Sequence, residues 1–99
     1  MSAGDWKEMY KAAGEGDLPL LQHHIRSGVN PNYQHPEILS TPLVHSILKG
    51  HTDIALFLLE NGADPNLESY FDFLTPLKAA KKMKNKRVIA AVQAKLSQA

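Results

Sequence analysis

The chain has 99 residues, 43% hydrophobic and 21% charged, with no cysteine and a formal net charge of +1. That is the composition of one small soluble domain and argues against a large enzyme, while the missing thiols exclude a disulfide framework and thiolate chemistry and agree with the cytoplasm. The longest apolar run, Ile54 to Leu59, falls far short of the roughly 20 residues that span a bilayer, and nothing in Met1 to Gly16 resembles a signal peptide.

In chain order, Trp6, Met9, Tyr10 and Ala13 recur at i, i+3, i+4 and i+7 and predict a first helix with one apolar face. Gly16 breaks the chain where a positive φ is expected, and a second helix follows over Leu18 to Ser27, stopped by Gly28 as a left-handed cap. Thr41-Pro42 opens the next helix. The Thr hydroxyl can accept a free N–H of the first turn, and Pro at the first helical position has no N–H to leave unsatisfied. Gly50 breaks this helix, a partner runs over Asp53 to Asn61, and Gly62 caps it. Tyr70-Phe71-Asp72-Phe73-Leu74 then places four large apolar groups in a loop, before Thr75-Pro76 opens another helix. The last helix is expected over Lys86 to Ser97.

One period organises these elements. At a shift of 34 residues Gly28–Asn32 falls on Gly62–Asn66, Thr41-Pro42-Leu43 on Thr75-Pro76-Leu77, and Gly16 on Gly50, without a gap. Three units result, residues 7–40, 41–74 and 75–99, each a pair of short helices and a long turn, together one domain over 1–99. Charge follows the units. Residues 1–74 hold four Lys or Arg against ten acids, and residues 75–99 hold seven basic groups and no acid.

The stretch Thr41 to Asn66, T-P-L-x-x-x-x-x-x-G-H-x-D-I-x-x-x-L-L-x-x-G-A-D-x-N, resembles an ankyrin repeat, whose signature is T-P-L-H-x-A at a period near 33. The likeness is fullest in unit 2, degraded in unit 1 and reduced to T-P-L and apolar spacing in unit 3. It implies an all-α solenoid of three helix-turn-helix units joined by extended hairpin-like loops. The turns are most similar to those of small stand-alone bacterial members. Three departures stand out. Val44 and Lys78 replace the His that follows T-P-L; both loops are one residue longer than the family norm; and Lys84 replaces the turn glycine. Lys84 either keeps the left-handed turn, at a cost on the order of 1 kcal/mol, or turns differently.

Polar residues take over the outer faces of the end units. His23 and His24 stand where unit 2 has Phe57 and Leu58, and Lys81 and Gln93 where it has Ile47 and Leu59. Polar caps suit a complete three-repeat stack, expected to be a monomer.

The chemistry-bearing candidates are few. The five histidines lack metal-ligand spacing, His23 and His24 read as a solvated pair, His51 as a structural turn residue, and His45 as a first-helix residue able to face a partner. There is no nucleophile motif and no phosphate-cradling glycine loop, so no catalytic, metal or cofactor site is expected. Lys81, Lys82, Lys84, Lys86 and Arg87 form a basic cluster that reads as a solvated cap, as a contact for an acidic protein, or as a contact for nucleic acid. No aromatic residue follows Leu74 to stack on single strands. In the apolar loop, Phe73 aligns with Leu39, which predicts loop packing on loop. Tyr70, Phe71 and Leu74 align with unlike residues and are read as contacts to another molecule.

Family resemblance implies a concave face built from the first helices and turn tips. On matching positions it would hold Trp6, Gly14, Glu15, Ser40, Leu48, Lys49, Leu74, Lys82 and Met83, overhung by Tyr70 and Phe71. The expected partner-binding residues are Trp6, Ser40, Lys49, Tyr70, Phe71, Leu74 and Lys82. The expected function is non-enzymatic protein–protein interaction; the alternative is an acidic-surface or nucleic-acid binder using the basic third unit.

Overall fold

A computed structural model describes residues 3–98, and six helices account for most of them: α1 (Ala3–Glu15), α2 (Leu18–Arg26), α3 (Pro42–Leu48), α4 (Thr52–Glu60), α5 (Pro76–Lys82) and α6 (Lys86–Ser97). There is no strand among the described residues. The all-α solenoid expected from the sequence is the fold observed. α1, α3 and α5 pack side by side as an inner layer, and α2, α4 and α6 form an outer layer behind them.

Capping chemistry sets the helix starts. Thr41 Oγ1 accepts from Val44 N at 3.1 Å and Thr75 Oγ1 from Lys78 N at 3.2 Å, each with Pro as the next residue. Asp17 and Asn85 cap α2 and α6 in the same way. His51, the residue at the corresponding place before α4, makes no cap bond. Its Nε2–H reaches across the repeat boundary to the Gly14 carbonyl of α1, at 3.0 Å. Asn85 does both jobs, since its Nδ2 also donates to Thr52 Oγ1 of the preceding unit at 2.8 Å.

The core runs through the stack as one cluster. Met9, Leu21, Val44, Ile47, Ile54, Leu58, Val88 and Val92 are all fully buried. Burial of such side chains contributes roughly 1.5–3 kcal/mol each. Ala12, Ser46 and Ala80, one repeat apart, are buried and small. Ser46 Oγ is satisfied by donation to Leu43 O at 2.8 Å.

The turn inside unit 3 keeps the left-handed geometry of the other two. Lys84 has φ +55°, against +82° at Gly16 and +80° at Gly50. The strain anticipated for a side chain at this position is therefore present. Leu39 and Phe73 are left-handed as well, both at φ +58°. Their match across the repeat reflects a shared backbone turn, each N–H bonded to the carbonyl four residues earlier at 2.8 Å. Phe73 is 68% exposed and Leu39 39%, so the expected packing of one against the other is corrected.

The loops are instead joined through amides and backbone. Asn32 accepts from Asp64 N at 2.7 Å and donates to Gly62 O at 2.9 Å. Gln34 donates to Glu68 O at 2.8 Å and accepts from Tyr70 N at 3.1 Å, while Phe71 N donates to Leu39 O at 2.8 Å.

Candidate functional site

An open cleft of about 390 Å³ lies where α1, α3 and the two loops meet. Tyr10 comes from α1, Ile38 and Ser40 from the first loop, His45 and Leu48 from α3, Lys49 from the end of α3, and Phe71 and Asp72 from the second loop. Tyr10, Ile38, Leu48 and Phe71 give the lining its apolar and aromatic part, and Ser40, His45, Lys49 and Asp72 its polar part.

Tyr10 and His45, the end of a row of rings, line one side of the cleft. Tyr33 meets Trp6 edge-on at 6.0 Å, Trp6 stacks on Tyr10 at 5.2 Å, and Tyr10 stacks on His45 at 4.2 Å with the planes 7° apart. Gly14 makes room for the last ring, because a Cβ there would overlap His45 Nε2 and come within 2.7 Å of its Cδ2. Desolvation holds the His45 pKa below its ordinary value, and the charges of Lys49 and His51 push in the same direction. The imidazole that faces Tyr10 is therefore kept neutral at neutral pH.

The second loop also lines the cleft, its backbone held by hydrogen bonds and its Phe71 side chain exposed. Phe71 is 74% exposed although its N–H is fixed to the first loop, and Tyr70, pinned through Gln34, is 58% exposed. Asp72 Oδ1 accepts from Leu74 N at 3.1 Å, which holds the turn between Phe71 and Leu74.

The seven residues expected from sequence separate on this geometry. Ser40, Lys49 and Phe71 line the cleft, and Tyr70 stands beside Phe71 on the same loop. Lys82 is exposed on α5, one repeat beyond Leu48. Leu74 is half-buried and packs on the core. Trp6 does not face solvent: it is 2% exposed, covered by Tyr33, His35 and Tyr10, and its Nε1 has no hydrogen-bond partner among the described residues. Ser40 is 7% exposed and sits in the floor of the cleft. Both are corrections to an exposed contact surface. For Trp6 the cause is the first loop, whose Tyr33 and His35 rings lie against it. The solvated His23–His24 pair is corrected in one half: His23 is exposed, but His24 is buried with Nε2 3.2 Å from Glu8 Oε1.

Sequence reasoning missed Tyr10, Ile38 and Asp72 as cleft residues. Tyr10 was absorbed into the core stripe of the first helix. The usable signal lay in an internal mismatch. Gly14 stands where the other units have Leu48 and Lys82, and His45 where they have Lys11 and Ala79, so a missing side chain faces an added ring.

In the third unit, Lys78, Lys81, Lys82, Lys84, Lys86 and Arg87 are all exposed. Of its seven cations Lys95 alone makes an ion pair among the described residues, to Glu60 at 3.5 Å.

Comparison with known proteins gives a family and distant relatives. A family model described as ankyrin repeats (3 copies) matches residues 9–95. The 2-5A-dependent ribonuclease of Homo sapiens is 37% identical over 59 residues, 60% of this chain and 8% of that protein. DNA-binding protein RFXANK of Homo sapiens is 35% identical over 63 residues, 64% of this chain and 24% of that protein. An ankyrin repeat-containing protein of Schizosaccharomyces pombe is 33% identical over 72 residues, 73% of this chain and 34% of that protein. The chain thus spans about a third or less of the length of these relatives.

Proposed function

The chain belongs to the ankyrin repeat family, and on that premise we propose that it is a non-enzymatic protein-binding module of the cytoplasm, gripping its partner between the inner helices and the second loop tip. Ankyrin repeats generally mediate protein–protein contacts, and no helix among the described residues is long and apolar enough to cross a membrane. The observation that carries the reading is Phe71, 74% exposed over an apolar cleft on a backbone already fixed by a 2.8 Å bond. An anchor held in place before binding loses little entropy when the partner arrives. Of the residues expected from sequence, Lys49, Tyr70, Phe71 and Lys82 are proposed to touch the partner. Affinity capture with the wild-type chain and with Phe71→Ala tests this. The partner recovered by the wild type is lost with the variant while the helical circular dichroism is unchanged; equal recovery by both rejects the site.

The second reading uses the exposed lysines of the third unit as a nucleic-acid surface, and one relative, RFXANK, is a DNA-binding protein by name. It predicts oligonucleotide binding that falls steeply with salt and ignores Phe71→Ala.

A further inference from the structure

We infer that the cleft takes an acidic peptide segment of a partner protein, seating one apolar side chain between Phe71 and Leu48 and pairing its carboxylates with Lys49 and Lys82. The inference rests on the protein-binding reading above and names the chemistry of what is bound. The apolar part of the fit comes from Tyr10, Ile38, Leu48 and Phe71, which line a space of about 390 Å³, of the size that accepts a small apolar group.

The charge comes from the lysines. Lys49 lines the cleft, and neither Lys49 nor Lys82 makes an ion pair among the described residues. Lys82 follows Leu48 by one repeat on the neighbouring inner helix, so a segment crossing from unit 2 to unit 3 leaves an apolar wall and meets a cation. Beyond it Lys78 and Lys81 are exposed, with no acid anywhere in residues 75–99. Lys49 stands close enough to His45 for its charge to disfavour a proton there, so its charge is felt inside the cleft. A carboxylate is the group that complements it.

A peptide fits better than a nucleic acid strand. The exposed aromatic side chains of the second loop stand among Glu68 and Asp72, and a phosphate at every nucleotide would meet those carboxylates. A peptide can place its charges only where the lysines are.

The test is fluorescence anisotropy on the full chain with labelled Glu-rich peptides, each carrying a single central Leu, Phe or Trp. The controls are the same peptide with Ser at the centre, a Lys-rich version, and a single-stranded oligonucleotide. At least one anchored acidic peptide binds, and affinity falls about tenfold with Phe71→Ala at every salt concentration. Lys49→Glu and Lys82→Glu weaken binding mainly at low salt and flatten its salt dependence. The inference is overturned if no anchored peptide binds, if the Ser control or the oligonucleotide binds as tightly, or if the Lys-rich peptide does. A partner whose capture needs Phe71 but is indifferent to Lys49→Glu and Lys82→Glu would leave the protein-binding reading standing and remove the acidic ligand.

Discussion

The rings of Tyr10 and His45 lie parallel, 4.2 Å apart between centroids and 7° apart in plane, so the first and second repeats meet through a stacked pair. The pair exists because residue 14 is glycine. In an ordinary helix interior, Gly→Ala stabilises by about 1 kcal/mol. Here Gly14→Ala is expected to do the opposite and lower stability by about 1 kcal/mol, because the new methyl displaces His45 from Tyr10. In a His45→Ala background the same change should recover its usual stabilising sign. Urea denaturation of the four proteins reads the coupling directly, and additive effects would show that the ring does not depend on the missing Cβ.

Lys84 and Phe73 hold left-handed backbone with full side chains, at φ +55° and +58°. Lys84→Gly is expected to raise stability by about 0.5–1 kcal/mol, the relief of the left-handed strain less the entropy that glycine adds to the unfolded chain. Phe73→Gly should be neutral or stabilising for the same reason, given that 68% of the side chain is already exposed. A loss of more than about 1 kcal/mol at Phe73 would restore the loop-on-loop packing that the sequence alignment suggested.

Trp6 and Phe71 looked alike in the sequence, two aromatic groups at or over the expected contact face, and their variants should behave oppositely. Trp6→Ala removes a side chain that is 2% exposed and is expected to cost about 3–5 kcal/mol. Trp6→Phe costs less, since it also removes an indole N–H that has no partner among the described residues. Phe71→Ala removes one that is 74% exposed and should change stability by no more than about 0.5 kcal/mol. Thermal melts of the three variants separate the roles. A Phe71→Ala protein that melts far below the wild type would place that ring in the fold.

The period of 34 residues carried the architecture because the repeats share local instructions: Thr41-Pro42 and Thr75-Pro76 to start, Gly16 and Gly50 to turn, Gly28 and Gly62 to stop. Helix positions and the two-layer stack follow from those marks. The site was legible only where the repeats disagree with one another, as at Phe71, which aligns with Glu37. What stayed hidden is pairing across units. Trp6 reads in the sequence as a residue of the contact face because no linear pattern shows that Tyr33 and His35, on a loop some thirty residues later, fold back over it. Asn32 and Gln34 gave no warning either, since an amide in a loop reads as solvated until the facing backbone is known.

His45 gives the fold a dependence on pH with a definite sign. Its folded pKa lies below the ordinary value of 6.5, first through burial and then through Lys49 and His51. As pH falls, the unfolded chain takes up a proton at this residue before the folded chain does. Stability therefore rises with pH between the two values, and it is lost as pH drops below 6.5 toward the folded value. The groups around the ring set this balance: Tyr10 stacks on it without charge, Lys49 and His51 oppose the proton, and Asp72 across the cleft is engaged by the Leu74 N–H. His45→Gln removes the titrating group. Urea denaturation at about pH 7.5 and about pH 5 should then show a smaller acid-induced loss in His45→Gln than in the wild type, the other four histidines being common to both. Equal losses in the two proteins would mean that His45 titrates alike folded and unfolded, and that the ring against Tyr10 is not kept neutral by its surroundings.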